Sequence, residues 1–347
     1  MRTIGVVIPA RDAEAVIDQA LASLAAQDVP ADQVVVVDDG STDRTAERAR
    51  RWRHRLPLTV LSGASPRGIG PARHRGITAL DTDLILQLDA DDAVLPCHIA
   101  MMRAAYWRRP GLISPRPLLW DGAQRLQVPV YAKDSYPRAG DQLAQLLLQC
   151  YVVVGALYSL RDYQAAGGYR ACRFAEDWDL WLRMVAAGVL VAKLPEPTYQ
   201  YRVHESYSAR FDVRQAQTEP LERFLADCGV PRYRRIAKLS ILQRIGAAYM
   251  DRFEVRAPSA RTWRLLDELG VTGPAEIAWD DDIGLLARAA DGLWVVEERD
   301  GGPHVVFRRD DPHGPDSIDD EDLRLRWSSL RETGLAQFGL TGTGTAR

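Results

Sequence analysis

Two short aliphatic runs that end in clusters of carboxylates constrain this chain more than any other feature. Val34-Val35-Val36-Val37 runs into Asp38-Asp39-Gly40-Ser41, and Leu84-Ile85-Leu86-Gln87-Leu88 runs into Asp89-Ala90-Asp91-Asp92. Such runs, closed by turn residues, read as strands of a parallel sheet buried on both faces. Open α/β sheets bind ligands beyond the carboxyl ends of their strands. Carboxylates gathered at that edge repel one another unless a cation lies between them. Asp89-Ala90-Asp91 therefore reads as a site for a hard divalent ion, and such ions commonly hold a substrate's phosphates. A ligand with a nucleoside diphosphate group is the implication.

The surrounding pattern agrees. Residues 4–8 form a strand stopped by Pro9, and residues 13–26 carry Val16, Ile17, Ala20, Leu21 and Leu24 at helical spacing. A strand over 33–37, a helix over 44–52 capped from Ser41-Thr42-Asp43, a strand over 58–61, a helix opening at 68–76 and a strand over 84–88 follow. This alternation predicts a mostly parallel sheet with right-handed crossovers. Asp92 reads as a cap for the segment after it. Beyond it we expect a helix over 97–106, short strands broken by prolines over 111–129 and helices over 140–150 and 175–187. Two late strands are expected over 189–194 and 198–201. Composition shifts over 212–231. After that the pattern gives one long helix over 233–252, a second capped by Ser259, a hairpin around Asp300-Gly301-Gly302 and a last helix over 318–333. Asp280-Asp281-Asp282 and the acidic run 319–322 read as helix starts, favourable to the dipole, and not as metal sites.

Composition excludes several classes. A formal net charge of −3 over 347 residues leaves no basic footprint, so nucleic acid is not expected as a partner. Cys97, Cys150, Cys172 and Cys228 are scattered, without the spacing of a zinc site or a disulfide framework. No signal-peptide core follows Met1-Arg2-Thr3, and the longest apolar stretch, 146–160, is interrupted by Gln149 and Gly155. A cytoplasmic protein is expected, peripheral to the inner face of the membrane if it meets one.

Four further elements stand in order with the two acidic clusters. They are Val7-Ile8-Pro9-Ala10-Arg11, Gly70-Pro71-Ala72-Arg73-His74-Arg75-Gly76, Gly167-Gly168-Tyr169 with Glu176-Asp177-Trp178, and Tyr201-Arg202-Val203-His204-Glu205-Ser206. With these six elements the chain resembles glycosyltransferase family 2, the inverting nucleotide-sugar transferases of GT-A fold, over residues 3–208. The resemblance implies a donor that is a nucleoside diphosphate sugar, a UDP-sugar first, and an acceptor hydroxyl. Pro9, Ala10, Arg11, Asp38 and Asp39 would hold the nucleoside, and Arg73 would reach the diphosphate or the base. Asp89, Ala90 and Asp91 would line the nucleotide sugar. Asp91 would bind Mn2+ or Mg2+ directly, Asp89 would contact the ribose or a metal-bound water, and His204 would complete the shell.

An inverting transfer needs a carboxylate on the face of the sugar opposite the leaving diphosphate. By the resemblance that general base is Asp177, beside an apolar wall of Trp178 and Trp181, and Glu176 contacts the acceptor or orients the loop. Two positions depart from the family pattern. His74 stands where an asparagine is usual, and Arg11-Asp12 where many members carry an aromatic residue and asparagine. The Arg11 guanidinium plane can replace the aromatic ring under the base.

The expected fold is therefore α/β, a GT-A Rossmann-like, mostly parallel sheet flanked by helices, with a mainly helical C-terminal appendage. The expected catalytic domain is 1–228, with a nucleotide-sugar-binding half at about 1–95 and an acceptor half at about 96–228, and the appendage is 229–347. Its apolar faces must be buried against the catalytic domain, a second subunit in a homodimer, or the acceptor. The long helix is expected beside the acceptor cleft. A Rossmann dehydrogenase would need glycines where Pro9-Ala10-Arg11 stands. A sugar nucleotidyltransferase would need a lysine-bearing glycine loop near the amino terminus, and a non-catalytic nucleotide-sugar-binding module would not need Asp177. The acceptor expected is a glycan, a lipid-linked glycan or a small natural product such as an aminoglycoside-like antibiotic.

Overall fold

A computed structural model describes residues 2–120, 128–129, 140–202, 217–271, 273, 275–290, 292–299 and 302–309. The chain forms two compact units, residues 1–146 with 150–211, and residues 147–149 with 212–347.

The first unit is built on strands β1 (Ile4–Ala10), β2 (Gln33–Asp38), β3 (Leu58–Ser62), β4 (Leu84–Gln87), β5 (Ala93–Val94), β6 (Leu112–Trp120), β7 (Val128–Pro129), β8 (Leu157–Ser159) and β9 (Val191–Arg202). Its helices are α1 (Ile17–Ala25), α2 (Thr45–Arg50), α3 (Ile69–Thr78), α4 (His98–Arg108), α5 (Gln142–Leu148), α6 (Leu160–Ala165) and α7 (Glu176–Ala186). The sheet order is β3-β2-β1-β4-β8-β6-β9-β5, with β7 on β6. β1, β2, β3 and β4 run parallel, as do β6 and β9, and β8 is antiparallel to both β4 and β6. The chain order reverses between β1 and β4, and the crevice at such a switch point is where a ligand fits.

The strands are continuous apolar runs because both faces are covered. Ile4, Val6, Ile8, Val34 and Val36 pack with Ile17, Leu21 and Leu24 of α1. On the other face α3 lies so close that a Cβ on Gly76 would meet Val7 Cγ1 at 2.7 Å and Val37 Cγ2 at 2.9 Å. Only glycine permits that approach, which carries Arg73, one turn earlier, against the sheet.

Several elements differ from expectation. The prolines at 115 and 117 do not break residues 112–120 into short strands; β6 absorbs them where its register on β9 shifts. The two late strands are one, β9. Asp92 is not a cap: its carboxylate accepts from Tyr199 Oη (2.6 Å) and from the Arg202 backbone N–H (2.8 Å).

The second unit holds α8 (Glu219–Asp227), α9 (Pro231–Ile245), α10 (Ala260–Glu268) and an antiparallel sheet of β10 (Glu276–Asp280), β11 (Gly284–Ala289), β12 (Gly292–Arg299) and β13 (Gly302–Arg309), in that order. The expected hairpin is β12–β13. The expected long helix stops at Gly246, whose φ of 54° ends α9 before a 3-10 turn over Gly246–Arg252. Ser259 caps α10 by accepting from the Thr262 N–H. Asp280-Asp281-Asp282 does not start a helix. Asp280 Oδ1 accepts from the Asp282 N–H at 2.8 Å and turns the chain into β11, while Lys238 Nζ meets both Asp280 oxygens at 2.6 and 2.7 Å. The short apolar run behind it fits either period, which is why its type was not legible. The helix expected over 318–333 and the acidic run 319–322 lie outside the described residues.

Gly76→Ala tests the α3 contact. Alanine would favour the helix by about 1 kcal/mol, but the overpacking typically costs about 1–3 kcal/mol. The expected net effect is a lower urea midpoint; a midpoint at or above that of the wild type would show that α3 has room to spare.

Candidate active site

The carboxyl ends of β1, β2 and β4 meet at one crevice. Backbone N–H of Asp39 donates to the Ala10 carbonyl at 2.8 Å, joining the two loops. Asp12 sits at φ 46°, a left-handed conformation uncommon for a non-glycine residue. It is held there because its N–H donates to Ser41 Oγ at 3.0 Å and its Oδ1 accepts from the Thr42 N–H at 2.8 Å. Pro9 and Ala10 close β1 as buried backbone, and the Arg11 side chain beyond them is 57% exposed. Asp38 and Asp39 are buried. Asp38 Oδ1 accepts from the Ser41 N–H, and the Asp39 carboxylate accepts from the N–H groups of Arg67 (2.9 Å) and Gly68 (2.8 Å). Asp39 thus anchors the loop from which α3 starts.

Arg73, on α3, is only 1% exposed. One arm of its guanidinium donates to Asp89 Oδ1 at 2.7 Å and the other to Glu176 Oε1. Its plane lies over the Tyr169 ring at 5.9 Å. Burial opposes its charge, yet Asp89, Tyr169 and Glu176 hold its pKa well above the ordinary value. The fork joins the acidic turn after β4 to the start of α7, with Arg73 and Glu176 103 residues apart in sequence. Beneath it Gln87, the one polar residue of its apolar run, donates to Tyr158 Oη (2.6 Å) and Tyr169 Oη (2.5 Å). Gly168, at φ 66°, lets the chain turn against Tyr163, and the Tyr163 hydroxyl accepts from the Tyr169 N–H and bonds His74 Nδ1 at 2.7 Å. His74 therefore supports the Gly-Gly-Tyr turn.

Asp89, Ala90, Asp91 and Asp92 follow β4. Burial raises the pKa of Asp89, Arg73 opposes the rise and Asp91 adds to it. Asp92 is pushed well up by burial and then by Asp89 and Asp91. Arg202, at the end of β9, donates from Nε to the Asp91 carbonyl at 2.7 Å and stacks over Trp120 at 4.3 Å. It braces the backbone of the acidic turn, a role not read from the sequence. A turn crowded with carboxylates, of which Asp89 and Asp92 are pushed up, fits a divalent cation by charge. Among the described residues no three carboxylate, imidazole or thiol groups converge as a ready ligand set. The protein ligands would be Asp91 and Asp89, with phosphate and water oxygens supplying the rest, as Mg2+ prefers. His204 lies outside the described residues.

Glu176 and Asp177 open α7 from Ala175, which sits at φ 51°. Buried Trp178 donates from Nε1 to the Leu146 carbonyl at 2.9 Å, and Trp181 packs edge-on to Tyr158. The two tryptophans seat the helix in the core and leave its acidic start at the crevice. Asp179 pairs with Arg183 one turn on, at 2.6 Å. Asp177 is partly accessible but crowded by protein. Desolvation, then Glu176, raises its pKa to about 7, against the pull of Arg73 and of the Trp178 N–H. The crevice thus gathers an acidic turn after β4, the buried carboxylates of Asp38 and Asp39, and the Asp177 carboxyl group, whose pKa is raised to about 7.

The mixed α/β sheet flanked by helices is that of GT-A proteins. Residues 5–161 match the family Glycosyl transferase family 2, and this match supports a glycosyltransferase. It is 24% identical over 192 residues to the amylovoran biosynthesis glycosyltransferase AmsE of Erwinia amylovora, covering 54% of this chain and 70% of that one. To the poly(ribitol-phosphate) beta-N-acetylglucosaminyltransferase TarS of Staphylococcus aureus it is 35% identical over 98 residues, 27% of this chain and 17% of that protein. The structure of TarS residues 1–349 with UDP-GlcNAc superposes with a TM-score of 0.58 at 19% identity, covering 70% of this chain and 72% of that one. The mannosyltransferase PcManGT of Pyrobaculum calidifontis, solved with GDP-Man and Mn2+, superposes with a TM-score of 0.56 at 17% identity, covering 78% and 79%. At these identities the likeness to the solved structures is one of fold.

Arg73→Met would leave Asp89 and Glu176 facing each other without their cation. Breaking a buried pair from one side costs about 3–5 kcal/mol. We expect a clearly lower thermal midpoint at neutral pH, and Arg73→Lys, which keeps the charge but loses the fork, should fall between. An unchanged midpoint for Arg73→Met would remove the bridge from any role in stability.

Proposed function

We propose that the protein moves a single sugar from a nucleoside diphosphate sugar, a UDP-sugar first, to an acceptor hydroxyl with inversion at the anomeric carbon. The observation that carries the proposal is Asp177, a carboxyl group at the crevice with a pKa near 7. A general base works best when its pKa lies near the working pH. Asp177 takes the acceptor's proton as the hydroxyl oxygen attacks the anomeric carbon. The bond from that carbon to the diphosphate oxygen breaks, and the nucleoside diphosphate leaves with the electron pair. Glu176, gripped by Arg73, fixes the start of α7 so that Asp177 meets the acceptor. Pro9, Ala10, Arg11, Asp38 and Asp39 hold the nucleoside, and Arg73 acts on the donor through Asp89.

In this proposal Asp91, with Asp89 and His204, holds Mn2+ or Mg2+. The cation would neutralise negative charge on the departing diphosphate. The likeness to TarS, a poly(ribitol-phosphate) beta-N-acetylglucosaminyltransferase, favours a polymer as acceptor over a small natural product. Among the described residues no helix is long and apolar enough to cross a membrane.

The base is tested by pH and by stereochemistry. kcat/KM should rise with pH through about 7 and level off above it, because the ionised carboxylate is the active form. Asp177→Asn should abolish transfer and leave UDP-sugar binding nearly intact. NMR of the product should show a β-linkage from an α-linked donor; a retained anomer, or an active Asp177→Asn enzyme, would refute the assignment.

Metal use is tested separately. EDTA should weaken UDP binding strongly, and Asp91→Ala should reproduce that loss in the presence of Mn2+. Equal UDP affinity with and without metal would contradict the cation site.

A further inference from the structure

The second unit contains a half-open pocket of about 510 Å3 that shares no residue with the carboxylate crevice. Its size falls within the usual range for small-ligand sites. One wall is a row across three strands, where Trp279 of β10 pairs with Leu285 of β11 and Leu285 with Val296 of β12. Residues facing each other across neighbouring strands share a sheet face, so this row is a continuous apolar floor. Arg261, Thr262 and Leu265 of α10 form the opposite wall. Arg256 closes the rim: its backbone bonds Ile277 in both directions, at 3.0 and 3.1 Å, adding to the edge of β10. Its side chain is held 3.0 Å from Glu254.

Trp279 is the informative residue. It is 65% exposed, the most exposed of the large apolar side chains among the described residues. The packing of the unit does not need it, since its core is built on Leu266, Ala287, Trp294 and Val296. An indole left in solvent, at the mouth of a pocket with a charged rim, marks a binding surface.

We infer that this pocket binds a neutral pyranose unit of a glycan, stacked on Trp279. A pyranose has an apolar C–H face and a rim of hydroxyls that both donate and accept. The indole suits the face, and the Glu254–Arg256 pair sets an acceptor and a donor side by side for neighbouring hydroxyls. Arg256 and Arg261 stand against the single Glu254 at this pocket, a balance that would also suit a phosphate, and UMP serves as that contrast. The inference rests on the assignment of the chain as a glycosyltransferase and adds a second sugar site, which would retain a glycan substrate or product by a unit other than the one that reacts.

The test uses the full chain with no nucleotide sugar added, so that no transfer occurs and binding is read whatever the outcome of the metal proposal. Cellotetraose, maltotetraose and chitotetraose are titrated by tryptophan fluorescence and saturation-transfer NMR, with UMP as a contrast. At least one oligosaccharide should bind saturably. Trp279→Ala should weaken it roughly tenfold or more, Trp279→Phe should restore part of the loss, and Arg256→Ala should also weaken it. The thermal midpoint of Trp279→Ala should stay within about 2 °C, as for other exposed positions. The proposal is overturned if none of the three sugars binds, if binding is indifferent to Trp279, or if UMP alone occupies the pocket.

Discussion

The buried guanidinium of Arg73 is the constraint on which the crevice depends. A single cation with almost no access to solvent stands between Asp89, on the loop after β4, and Glu176, at the start of α7. Neither carboxylate is stable there alone, because burial penalises a lone charge heavily. The fork geometry fixes direction as well as distance, since each arm serves one acid. In this way an element read as donor-binding and an element read as catalytic are held in one register. Gly76 permits it by bringing α3 onto the sheet, and Gln87 and Tyr169 line the space below.

Backbone strain marks the same edge. Asp12 and Ala175 are the non-glycine residues with positive φ among those described. One follows β1 and the other precedes Glu176. Such conformations cost of order 1–3 kcal/mol each and persist only where neighbours over-determine them. For Asp12 the neighbours are Ser41 and Thr42, from the loop after β2. For Ala175 the helix behind it is pinned by Trp178 and Trp181.

Much of the first unit was legible in the sequence because its signals are local. Val34 to Val37 and Leu84 to Leu88 are too apolar for anything but strands covered on both faces, and carboxylates after them mark the ligand edge. What could not be read was pairing over distance. Arg73 reads as a cation that reaches the diphosphate or the base, and only the fold shows it enclosed by Asp89 and Glu176. Asp92 reads as a cap, and only the return of β9 gives it Tyr199 and Arg202. In the second unit the helix–strand confusion around Asp280 has another cause. A short run such as Leu285-Leu286-Ala287 satisfies both periods, and the partner strand decides.

Asp39 faces two demands at once. Its oxygens accept the N–H groups of Arg67 and Gly68, where the chain enters α3. A nucleoside that sought the same carboxylate would draw on the same lone pairs, of which a carboxylate has about four. Two N–H donors leave part of that capacity open, so one carboxylate could serve a nucleoside while it seats α3. The helix that carries the central arginine is thus tethered by the same group that, in the proposed function, a nucleoside would use.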